Sequence, residues 1–153
     1  TATIRKATIN AIEENCAGIR GAAQSSDFSK IKVIMESGAM TVAGDTAFDS
    51  IGELTLGNKD VDNDPNDPII TISKADLNND DNLPLKNIDN LNFYSGTIKT
   101  KKKENLSDIK NSRLLRNIVN IVVRDNYTLC YIIPNASGIE ASLKEKQTNE
   151  NNG

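Results

Sequence analysis

The sequence predicts an α+β domain in which an N-terminal helix packs against an antiparallel β-sheet. Three observations lead there. Residues 1–24 contain no Pro and meet their first Gly at Gly18, and Ile9, Ile12, Cys16, Ile19 and Ala23 recur at spacings of three and four, the signature of one helix face. A series of short runs comes next, in which apolar residues alternate with Thr, as in Leu54-Thr55-Leu56 and Ile70-Thr71-Ile72, the pattern of strands with one wet face. Finally, Cys16 lies on the helical stripe and Cys130 in the densest apolar run, residues 127–133.

Taken in order, the helix should stop at Ser25-Ser26-Asp27, which are capping and turn residues. The alternation Lys30-Ile31-Lys32-Val33 favours a strand, closed by Ser37-Gly38. Strands are expected over 39–43, 48–56 and 69–73, punctuated by Gly44-Asp45, Gly57-Asn58 and the polar stretch 60–68. Residues 92–100 read as a further strand with Gly96 as a bulge or bend. Leu106-Ser107-Asp108 opens a short helix, and 121–124, 127–133 and 139–143 close the sheet, with turns at Asp125-Asn126 and 135–138. One domain therefore spans residues 1–143, and the polar stretch 144–153 should fray. No internal repeat is evident.

Composition limits the chemistry. The chain of 153 residues has a net charge of −3, which gives no electrostatic footprint for nucleic acid. It contains no His, which removes the commonest general base and the Ser-His and Cys-His nucleophile pairs. No Gly-rich phosphate loop, G-x-S-x-G or S-x-x-K occurs, so a non-enzymatic role is expected. No apolar run is long enough to span a membrane, and the start at Thr1 suggests a processed or trimmed end. The basic cluster Lys99, Lys101, Lys102 and Lys103 reads as a solvated loop.

Two features suggest sites. Asp60, Asp62, Asp64 and Asp67 space carboxylates along a polar loop, as a hard cation such as Ca²⁺ requires, and Asp76, Asn78, Asp80 and Asn82 repeat the alternation. Neither stretch is an EF-hand: Pro65 and Asp81 replace the turn Gly, and Thr71 and Asn87 replace the closing Glu. An exposed acidic turn is the plain alternative. In a secreted protein Cys16 and Cys130 would form a disulfide worth roughly 4–5 kcal/mol in the chain-entropy model, tying the helix to a late strand. Inside a cell they would remain two separate buried thiols.

The layout of N-terminal helix, irregular loops, sheet, late Cys and polar tail resembles the soluble part of a type IV pilin or type II secretion pseudopilin. Residues 130–143 (CYIIPNASGIEASL) are similar to the end of the minor pseudopilins, with a final strand, a Pro-x-x-x-Gly turn and a last short strand. The Gly-Phe-Thr-Leu-x-Glu start of that family is not in this chain. The resemblance implies a structural subunit of an extracellular, pilus-like filament with a role in adhesion or secretion. Its partners would be copies of itself or other pilin subunits, and a removed upstream apolar segment would provide the only membrane contact. The alternatives are a secreted, Ca²⁺-stabilised binding module and a small intracellular interaction or inhibitor protein.

Overall fold

The computed structural model describes residues 1–23, 26–60, 67–74, 80–101, 113–133 and 138–147. Among them the strands are β1 (Ala2–Ile4), β2 (Ala7–Ala11), β3 (Ile19–Arg20), β4 (Lys32–Met35), β5 (Gly38–Val42), β6 (Phe48–Leu56), β7 (Ile69–Ile72), β8 (Leu85–Phe93), β9 (Thr97–Thr100), β10 (Asn120–Val123), β11 (Tyr127–Ile132) and β12 (Glu140–Glu145). Short 3-10 turns lie at Asp80–Asn82 and Arg113–Leu115.

The pairing arranges these strands on three faces. On the first face β1, β4, the second half of β6, the second half of β8 and β10 run parallel, with Ala2, Val33, Leu54, Leu91 and Ile121 in one row. On the second, β2, β5, β7 and β9 run parallel, with Ile9, Met40, Ile70 and Ile98 in register. On the third, β3 and the first halves of β6 and β8 align Ile19, Phe48 and Leu85. The chain passes from face one to two to three and returns one strand further along. This is a parallel β-helix, in which each coil covers the apolar interior of the one before. A second inward row on the first face, Ile4, Met35, Leu56, Phe93 and Val123, completes that wall of the core.

The N-terminal helix expected over residues 1–24 is absent: residues 1–23 supply β1, β2 and β3. The stripe that suggested it is split, since Ile9 and Ile19 pack on the core whereas Ile12 is 79 % exposed and Cys16 is exposed. Half of residues 1–12 are Thr or Ile, which lose side-chain freedom in a helix and fit a pleated surface. The free edges of β4, β5 and β6 satisfy the backbone groups of this segment, and pairing prevails over a narrow 3.6-residue periodicity. The antiparallel sheet is corrected too. Both sheets are mainly parallel, and the antiparallel pairs among the described residues are β9–β12 and β11–β12. The pilin likeness fails on the same ground, because that fold is built on an N-terminal helix. Most of the short helix expected from Leu106 lies outside the described residues, as do residues 148–153. β12 reaches Glu145, inside the tail expected to fray.

The corner between faces three and one depends on an unusual backbone. Ser50, Asn87 and Asn117 have φ of 60°, 54° and 65°. Ser50 and Asn87 occupy the same register position, and Asn117 precedes Asn120 as Asn87 precedes its partner Asn90. Asn tolerates the left-handed region because its short polar side chain bonds locally. The Asn87 amide accordingly donates to Asp49 Oδ1 at 3.2 Å. Further amides stitch the coils from outside: Asn120 Nδ2 donates to Asn90 Oδ1 at 3.0 Å, and Asn92 Nδ2 donates to Glu53 and Thr55 at 3.1 Å. Asn87, Asn90, Asn92, Asn117 and Asn120 are thus structural.

Candidate functional site

The corner between faces one and two carries the most varied side chains. Here the first-face strands give way to Gly57, Tyr94 and Arg124, and the chain is described again from Asp67, just before β7. A cleft of about 610 Å³ lies on its C-terminal side. Lys59, Asp60, Tyr94, Arg124, Tyr127 and Glu145 are among its walls, as are Asp125 and Asn126. Arg124 holds the wall together: its Nη2 donates to the carbonyl of Asn58 at 2.7 Å, and its guanidinium lies 5.9 Å from the Tyr127 ring centroid, within cation–π range.

On the N-terminal side of the same corner is a smaller cleft of about 310 Å³, bounded by Arg5, Lys6, Glu36, Ser37, Asn58, Asp67 and Ser95. Arg5 and Glu36 pair through two hydrogen bonds. The bond from Arg5 holds the Glu36 carboxyl below the usual carboxylate range, and Glu36 raises the Arg5 guanidinium. Ser95 Oγ donates to the Asp67 carbonyl at 2.7 Å.

Of the four carboxylates proposed for Ca²⁺, the two that are described fall in different clefts. Asp60 lines the larger and its N–H bonds Asn58 Oδ1 at 2.9 Å; Asp67 lines the smaller and accepts the Gly38 N–H at 2.8 Å. Asp62 and Asp64 lie outside the described residues, as do Asp76 and Asn78. Among the described residues no group of three or more His, Cys, Asp or Glu converges as a metal site. One Asp67 oxygen serves the backbone of the neighbouring coil.

Cys16 and Cys130 are both free thiols. Cys16 comes after β2 at one end of the second sheet, and Cys130 is on β11 at the other. Five strand spacings of about 4.8 Å separate those strands, far beyond the reach of a disulfide. The pairing proposed from the sequence is therefore not made in this chain.

Sequence reasoning passed over Tyr94, Arg124 and Tyr127, which sit on three different strands or turns and share no spacing. It also passed over Asp49, a buried carboxylate on face three that Arg20 meets at 3.3 Å and Ser50 Oγ at 2.9 Å. With Asn87 added, its oxygens are matched from three coils, which makes it a clamp between coils. Among the described residues no helix is long and apolar enough to cross a membrane. Comparison with protein-family models, with curated proteins and with solved structures found no match.

Proposed function

We propose that this chain is a non-enzymatic structural and binding module, a short rigid β-helix that presents the corner beside Lys59, Tyr94 and Tyr127 to a polyhydroxylated ligand such as an oligosaccharide. The observation that carries the reading is the larger corner cleft. Two phenol rings, Tyr94 and Tyr127, stand beside Lys59, Arg124, Asp60, Glu145 and Asn126. Aromatic rings offer flat apolar surface to a sugar's C–H face, and the mixed charges and amide can serve hydroxyls that both donate and accept. The fold supports the role mechanically, since stacked coils hold these groups on a stiff frame and the ligand does not have to order them. An adhesive or structural part in an extracellular assembly fits this description without the pilin architecture.

Binding of acidic and neutral oligosaccharides, followed by calorimetry after an array screen, tests the proposal. At least one class should bind, and Tyr94→Ala and Tyr127→Ala should each weaken it about tenfold or more, roughly 1.4 kcal/mol, at unchanged melting temperature. Absence of binding to either class, or binding indifferent to both tyrosines, overturns it.

A further inference from the structure

The C-terminal end of the β-helix is apolar and stepped. Four of the large hydrophobics that are exposed among the described residues gather there: Val119, Ile121 and Val122 at β10, and Ile132 on β11. Ile121 belongs to the inward row of Val33, Leu54 and Leu91, so its exposure opens the interior itself. Beside it, β10 is the edge strand of its sheet and offers unpaired backbone groups along one side. Natural proteins guard such edges with Lys, Pro or inward-pointing charge. Here residues 117–123 (NIVNIVV) carry no charge at all.

The three faces end at different heights. Among the described residues the third face ends with the turn through Leu114 and Leu115, the first one level higher with β10, and the second one level higher again, because β12 and then β11 lie beyond β9. A copy stacked head to tail is excluded: with its β1 on β10, its β2 would need the level that β11 occupies. A copy turned about a two-fold axis through face one fits. Its second face, which projects furthest, then lies over the third face, which stops shortest, and the two β10 edges meet antiparallel.

We propose that this end is a self-association surface, closed by a second copy of this chain through antiparallel β10–β10 pairing centred on Ile121. Side chains opposite each other in an antiparallel pair point to the same face. That register therefore places Ile121 against the partner's Ile121 on the core side and Asn120 against the partner's Val122 outside. The uncharged strand brings no like charges together. The segment before β10 in one copy lies beside the segment after β10 in the other. The contact is isologous and gives a closed dimer. It does not rest on the ligand reading, although Val122 and Asp125 also border the larger corner cleft.

Sedimentation and light scattering of the full chain over a concentration series provide the test. The expected result is a monomer–dimer equilibrium with no larger species. Ile121→Lys, whose side chain solvent already reaches in the monomer, should abolish the dimer. Val119→Lys, at a 78 % exposed position that leaves the fold untouched, should raise the dissociation constant about tenfold or more. A wild-type chain that is monomeric throughout, or a ladder of larger oligomers, overturns the proposal. So does a dimer that survives both lysine variants with circular dichroism unchanged.

Discussion

Leu54 and Ile121 occupy the same inward row of the first face, yet Leu54 is fully buried and Ile121 is 38 % exposed. The side chains are of similar size and their strands present them in the same direction. Leu54 has β4 on one side and β8 on the other; among the described residues Ile121 is flanked by β8 alone. In a stacked coil, burial comes from the next coil along the axis, so facing inward is not sufficient to be covered. The interior coils are therefore the stable part of the molecule, and the last coil is where association is available at least cost to the fold.

The sharpest way to break this comparison is to truncate both residues. Leu54→Ala should destabilise the chain by about 2–5 kcal/mol, because it removes apolar contact and leaves a void closed on all sides. Ile121→Ala should cost about 1 kcal/mol or less in urea unfolding at monomeric dilution, where water already reaches the site. Equal losses would show that the last coil is as tightly covered as the middle ones.

Next in size is Gly38→Ala, at an interior corner. Gly38 has φ of +109°, and an added Cβ would overlap the Ala7 carbonyl oxygen of the preceding coil. The backbone conformation alone should cost about 1–3 kcal/mol, read as a lower denaturant midpoint. Asn87→Ala comes after it, with an expected loss of about 1–2 kcal/mol from the left-handed φ, plus the lost bond to Asp49. Asn87→Gly should recover the backbone part, and if it melts no higher than Asn87→Ala, the corner does not depend on that conformation.

The smallest effect concerns the outermost strand. Burial raises the Tyr131 phenol above its ordinary value. The unfolded phenol ionises near pH 10 while the folded one resists, so this contribution is complete below that pH and is lost as pH rises through the folded value. The melting temperature of Tyr131→Phe should decline less steeply above about pH 10 than that of the parent. Superimposable profiles would mean that β11 opens before Tyr131 titrates.

Much of the local structure was legible. The run 48–56 is β6 residue for residue, 69–73 holds β7, and 127–133 with 139–143 mark the β11–β12 hairpin. Alternation with Thr and punctuation by Gly and Asn report on backbone preference, which neighbours in sequence decide. The expectation failed where two local signals compete, over residues 1–24: the spacing of Ile9, Ile12, Cys16 and Ile19 favours a helix, and the β-branched content of the first twelve residues favours strands. The coils escaped notice as a repeat because the steps from Ala2 to Val33, Leu54, Leu91 and Ile121 are unequal, so no fixed period marks them. Tyr94, Arg124 and Tyr127 could not be assembled without the stacking that brings their turns to one corner.

By itself, then, the sequence determined which stretches extend, where the chain turns, and that His-dependent chemistry is closed to it, because these depend on composition and on contacts a few residues apart. Only the tertiary structure decided that the strands run parallel around three faces, that Cys16 and Cys130 lie at opposite ends, and that Ile121 faces inward yet stays open. Those features depend on which strand lies one level away along the axis, and in a chain with coils of unequal length that neighbour cannot be read from sequence separation.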